Sequence, residues 1–227
     1  MANTVAHLMV ARRILRENPG LINDSRAYYL GSIAPDAIES MEGATRDDKK
    51  RVHLRLGIKD MEWLEPDQMA IFDERVREFV AQHIAALPEG SQKDFNLGYL
   101  VHLLTDRCNH ETVRQIILGA AAKEGLRDGE FNFFYRVIND LEALDNYLLK
   151  EHPGISELFS DILGGEALCC LPGFIEKEYI EKSLRWWKNE YLSRIADRKL
   201  VYVCEEDIER FIAYAAAEIK RELNKLL

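Results

Sequence analysis

Apolar positions recur at helical spacing along almost the whole chain. Residues 4–18 place Val5, Leu8, Met9, Ile14 and Leu15 at that spacing, and Asn18-Pro19-Gly20 ends the run. Asp24 or Ser25 is a candidate N-cap for a short helix through Tyr28, Tyr29 and Leu30, which Gly31 and Pro35 then break. Residues 37–50 are polar and charged, without apolar period, and are expected to form a loop. Pro66 suits the first position of a helix running to Ala86 and closed by Pro88 and Gly90. Ser91 is a candidate cap for a helix from about Asp94 to Cys108, and the pattern resumes over Glu111–Ala122 and Gly129–Leu149. Pro153-Gly154 and Gly164-Gly165 punctuate the next stretch, and residues 175–195 and 205–227 read as charged amphipathic helices. Lys199 to Val203 is the one strand-like run, and a single strand forms no sheet. With no internal repeat or long linker, the expected architecture is all-α: one multihelical domain spanning residues 1–227.

Composition narrows the partners. The 227 residues are 47% hydrophobic and 30% charged, an ordinary globular balance with enough chain for one core. Thirty Lys and Arg against 39 Asp and Glu give a net charge of -9. That balance argues against tight binding to duplex nucleic acid and against adsorption to an anionic membrane. No segment approaches the ~20 apolar residues of a transmembrane helix. Arg12 and Arg13 follow Val5–Val10 where the apolar core of a secretory signal would continue, so a cytoplasmic location is expected. Cys108, Cys169, Cys170 and Cys204 lack framework spacing and are expected as reduced thiols.

The histidines carry the chemistry. His102, Asp106 and His110 follow one another at steps of four, which puts them in one stripe of a helix. Leu100, Val101, Leu103 and Leu104 make that helix apolar around much of its circumference, so the stripe is expected to be buried. The plain structural explanation is a core hydrogen bond between His102 and Asp106. Three further positions tip the balance. His7 lies on or near the apolar side of the first helix. Asp36 ends Leu30-Gly-Ser-Ile-Ala-Pro-Asp36, whose small residues permit close backbone approach. His53 lies between Val52 and Leu54. Imidazole and carboxylate groups in apolar surroundings suit zinc or another divalent first-row ion.

In order and type, His7, Gly31-Ser-Ile-Ala-Pro-Asp36, His53 and Gly98-Tyr-Leu-Val-His102-Leu-Leu-Thr-Asp106 resemble the zinc-dependent phospholipase C family, whose multihelical fold is shared with the single-strand-specific zinc nucleases. The resemblance covers roughly the first half of the chain. It implies that Asp36, His53, His102 and Asp106 hold one zinc, and that His7 belongs to a second zinc bridged by Asp106. It makes Asp36 the general base. It also implies a hydrolase acting on a small phosphoester or a phospholipid, a phosphodiesterase among the possibilities, through metal-activated water.

Departures from the family shape these expectations. The secreted members begin with a Trp whose amino and carbonyl groups complete one metal site; here the first Trp is Trp63. His110 comes eight residues after His102 where the family has ten, and the later His is replaced by candidate carboxylates at Asp140 or Asp145. The expectation is one or two zinc ions rather than three, with His110 and Asp140 as further candidate ligands. A helical binding module with a structural metal is the rival reading. An H…HD…D phosphohydrolase is disfavoured because no His-Asp dipeptide occurs. Trp186-Trp187 with Tyr191 reads as core packing, or else as an aromatic patch. The run Arg46-Asp-Asp-Lys-Lys-Arg51 reads as a solvated surface, or else as a gate or a cation meeting substrate phosphate.

Overall fold

A computed structural model describes residues 3–60, 62–126 and 131–227, without the side chains of residues 131, 132 and 134. The helices are α1 (Thr4–Glu17), α2 (Ser25–Gly31), α3 (Arg46–Val52), α4 (Pro66–Val80), α5 (Ser91–Glu111), α6 (Val113–Lys123), α7 (Phe131–Glu151), α8 (Pro153–Leu163), α9 (Lys177–Trp186), α10 (Leu192–Ile195) and α11 (Glu205–Leu226). A 3-10 helix spans Ala34–Ser40, and π turns extend α4 over Ala81–Ala85 and join α9 to α10 over Trp187–Tyr191. Among the described residues there is no strand, and the chain forms one all-helical domain. None of these helices is long and apolar enough to cross a membrane. The beginning of the helix expected over 129–149, and the first two residues of the chain, lie outside the described residues.

α5 is the central element. Its residues from Asp94 to His110 are all buried, and it packs against α1, α2, α6 and α11. The crossing of α2 and α5 is unusually close. A Cβ at Gly31 would stand 2.0 Å from the Phe95 carbonyl oxygen, and one at Gly98 would stand 1.9 Å from the Tyr28 oxygen. Only glycine fits at either place, which is the close approach that the small residues of 30–36 foreshadow. Further bonds lock the frame around it. The Asp94 carboxylate accepts from the Asn23 and Asp24 N–H groups, and the Tyr99 hydroxyl donates to the Val52 carbonyl at the end of α3.

Residues 37–50 differ from expectation. Residues 37–40 complete the 3-10 helix and 46–50 form most of α3, which leaves only 41–45 as the expected loop. α3 has almost no apolar face, so its signal is in its ends. Thr45 and Asp48 make a reciprocal capping box, with acidic Asp47 and Asp48 in the first turn and Lys49, Lys50 and Arg51 in the last. Ser91 also differs: α5 starts there, with Gly90 at φ 145° as the cap, and the Ser91 hydroxyl donates to Asp24. Asp24 is the cap of α2, accepting from the Ala27 N–H. All four cysteines are free.

Candidate metal centre

Five of the expected ligands converge. His7 comes from α1, Asp36 from the 3-10 helix, His53 from the residue that ends α3, and His102 and Asp106 from successive turns of α5. His7, His53, His102 and Asp106 are buried, while the Asp36 side chain keeps 12% of its surface exposed. Two sets of three have ligand atoms all within 4.8 Å of one another: His7, Asp36 and His102, and His53, His102 and Asp106. His102 belongs to both, and its ring stacks on that of His7 with centroids 3.7 Å apart. The resemblance implies a different division, with Asp106 as the shared residue. In the structure Asp106 also approaches His7, so the five side chains form one connected cluster.

The separations decide between hydrogen bonds and ligand positions. His7 Nε2 stands 3.4 Å from Asp106, His53 Nε2 3.5 Å from Asp36 and 3.9 Å from Asp106, and His102 Nε2 4.0 Å from Asp36 and 3.9 Å from Asp106. Hydrogen bonds of this type close to about 2.7–3.2 Å. Two ligands that are each about 2.1 Å from a tetrahedral ion stand about 3.4 Å apart. The His102–Asp106 core hydrogen bond, the plain alternative, is therefore not formed. The Nε2 atoms of His53 and His102 are buried without a hydrogen-bond partner, a costly arrangement for polar atoms in a core. These donor types and spacings fit a divalent ion of the zinc class.

The rings are held from behind. His102 Nδ1 lies 2.9 Å from the Ser32 carbonyl oxygen and His53 Nδ1 2.7 Å from the Lys49 carbonyl oxygen. A carbonyl only accepts, so each Nδ1 donates and each Nε2 keeps a lone pair facing the cluster. The Gly31–Gly98 crossing brings the Ser32 carbonyl within reach of α5. Electrostatics agrees with this tautomer. Burial, and next the neighbouring His7, lower the His102 imidazole to about 3. Burial works to raise Asp36, but His102 and His53 outweigh it and hold the carboxyl below its ordinary range. At Asp106 burial is likewise outweighed, chiefly by His7, and the carboxyl stands well below its usual value. Neutral imidazole and ionised carboxylate are the forms that bind metal.

Two of the sequence candidates take other positions. His110 is buried on α5, but its ring packs on Trp63 with centroids 5.0 Å apart, and it joins neither set of potential ligands. One turn past Asp106, the stripe has drifted towards Trp63. Asp140 accepts from the Val201 and Tyr202 N–H groups at 2.6 and 3.0 Å, which commits its carboxylate to the 199–203 segment. Asp145, the alternative carboxylate, accepts from the Val5 and Ala6 N–H groups at 2.9 and 3.0 Å and from the Tyr191 hydroxyl at 2.8 Å. It thereby fixes the first turn of α1 next to His7, a supporting role that no sequence motif announces. Cys108 is a buried thiol pushed up to about 12, chiefly by burial. His83 packs on Phe79 and Phe174, and His152 meets Glu209 at 2.9 Å; both lie outside the cluster.

A cleft of about 1100 Å³ opens beside the centre, and of the five cluster residues Asp36 alone lines it. Lys49, Lys50, Arg55 and Arg114 contribute basic groups to its wall, Glu39, Asp60 and Glu142 contribute carboxylates, and Phe133, Val137, Trp186 and Trp187 contribute apolar surface. Trp186, Trp187 and Tyr191 thus face this cleft, with Trp187 and Tyr191 otherwise buried in the core. Comparison of the chain with protein-family profiles, with curated proteins and with solved structures finds no match.

Proposed function

We propose that the chain is a metal-dependent phosphoester hydrolase using one or two zinc ions held by His7, Asp36, His53, His102 and Asp106. The observation that carries this reading is the convergence of five separated side chains at ligand spacing, with two buried Nε2 lone pairs left unpaired. Bound divalent ions lower the pKa of water and offset charge that builds on phosphoryl oxygens. The chain's own residues supply the rest. Asp36 is the ligand at the cleft edge, placed to take the proton of an attacking water. Attack forms one P–O bond and breaks the ester P–O bond, and the alcohol leaves carrying a proton. The ordered motifs resembling zinc-dependent phospholipase C support the same reading.

One observation favours a second reading, a binding module with a structural ion: four of the five cluster residues are buried. Metal analysis of chain purified without chelators, with p-nitrophenyl and bis-p-nitrophenyl phosphate as substrates, separates the two. The hydrolase reading expects at least about one equivalent of a divalent ion. It expects turnover abolished by His102→Ala and Asp36→Ala, and metal content reduced but not removed by His7→Ala. Less than about half an equivalent, or turnover surviving both of the first two substitutions, sinks it. Stoichiometric metal with no turnover of any phosphoester establishes the module.

A further inference from the structure

The wall of the cleft reverses the sign of the molecule. The chain carries -9 overall, yet Arg46, Lys50 and Arg55 converge on the one carboxylate of Asp60, Lys50 at 3.9 Å and Arg55 at 3.2 Å. These four side chains line the cleft together with His110 and Arg114. Six Lys and Arg side chains line the cleft against four Asp and Glu among the described residues, an excess of positive charge that low-dielectric walls focus.

Arg55 is the built part of this cluster. It is 6% exposed, its guanidinium carbon lies 4.4 Å above the Trp63 ring, and His110 packs on the same ring. One nitrogen bonds Asp60, and Nε is buried without a hydrogen-bond partner. Arg55 lies within electrostatic reach of both Asp106 and Arg114. A guanidinium clamped on an aromatic face beside a metal centre, with a donor unspent, matches the forked geometry with which arginine binds phosphate oxygens.

We propose that Arg55 is the centre of an anion clamp that selects a terminal, dianionic phosphate monoester over a phosphodiester. A diester brings one negative charge, which two divalent ions would already exceed after Asp36 and Asp106 are counted. A monoester brings about two and presents an additional outer oxygen, which gives the guanidinium a charge and an acceptor of its own. The alcohol part then lies along Phe133, Trp186 and Trp187, so an apolar or aromatic alcohol is expected. This rests on the hydrolase reading for its chemistry, but the clamp itself is tested without metal.

The probe is inorganic phosphate, titrated into the chelator-treated 227-residue chain and followed by ³¹P NMR. Saturable binding is expected, weakened about tenfold or more by Arg55→Gln and partly restored by Arg55→Lys. Asp60→Asn, at the cleft rim, removes the shared counter-charge and is expected to tighten binding several-fold; it also serves if Arg55→Gln fails to fold. No saturable binding overturns the clamp. So does affinity within twofold of the parent in Arg55→Gln, or unchanged in Asp60→Asn. With metal restored, bis-p-nitrophenyl phosphate cleaved faster than the monoester overturns the selection. Failure to take up metal sinks the hydrolase reading alone, because the phosphate titration stands apart from it.

Discussion

Two buried polar groups in this molecule use the same side-chain chemistry to different ends. On α7, Asp140, Glu142 and Asp145 are all buried, and each is matched by donors. Asp140 takes two backbone N–H groups, Glu142 takes Arg194 and Arg198, and Asp145 takes two N–H groups and a hydroxyl. In the His7–Asp106 cluster the carboxylates and imidazoles stand 3.4–4.0 Å apart, and the His53 and His102 Nε2 atoms stay unpaired. The first group is complete as it stands. Under the proposed reading, a cation would complete the second. A buried acid is therefore not by itself a sign of function; the distance to its donors is what separates the two cases.

The strongest way to break this contrast is Asp145→Ala. It strands the Val5 and Ala6 N–H groups and the Tyr191 hydroxyl in the core, at roughly 1–3 kcal/mol for each orphaned group. Urea unfolding of the metal-free chain is expected to show a loss of about 4 kcal/mol, a large share of a typical domain's stability. A loss under about 1 kcal/mol would mean that Asp145 is not the structural anchor of α1, and the two groups would no longer differ in kind.

pH separates the groups by sign. His102 and His110 are each held at about 3, chiefly by burial, against 6.5 when unfolded. The unfolded chain then binds more protons than the folded one between those values, so stability is fully present above 6.5 and is lost as pH falls towards 3. Asp145 runs the other way. Burial, its largest influence, raises it from 3.8 to about 7 despite its three donors, so its contribution is lost as pH rises through that window. Where the windows overlap, two groups oppose one. The metal-free chain is expected to gain stability with pH at a net rate of about 1.4 kcal/mol per pH unit between pH 4.5 and 6.5. Urea midpoints at those two pH values measure it. A flat or falling trend shows that His102 and His110 are not both the depressed groups described.

The fold and the candidate site were legible to different degrees, for reasons that lie in particular residues. His102 and Asp106 are readable because a four-residue step on an apolar helix constrains both spacing and burial. His7, Asp36 and His53 are readable because each interrupts apolar surroundings. α3 is not readable from periodicity, since Arg46–Val52 has almost no apolar face; its signal is the Thr45–Asp48 capping box. The fates of His110 and Asp140 depend on tertiary geometry, on where Trp63 and the 199–203 segment come to rest. No periodicity carries that information. The anion cluster is hidden for the same reason: Arg55, Asp60, His110 and Arg114 meet through packing rather than through a motif.

The smallest expected effect is the most discriminating. His7 is buried with neither ring nitrogen hydrogen-bonded, and its nearest carboxylate oxygen is 3.4 Å away. Replacing it with leucine keeps an apolar volume stacked near His102 and removes two unsatisfied polar atoms. Exchanging an unsatisfied polar group for an apolar one of similar shape is near neutral or stabilising. In the metal-free chain the loss of His7 as Asp106's chief partner offsets that gain, so His7→Leu is expected to leave the urea stability within about 1 kcal/mol of the parent. With zinc present the same variant is expected to gain less thermal stability than the parent, because stabilisation by a ligand follows its occupancy of the folded state. That pairing of a neutral effect without metal and a deficit with it belongs to a ligand. A loss of several kcal/mol in the metal-free chain would instead make His7 a core residue like Asp145, and the contrast between the two groups would fail at its most exposed point.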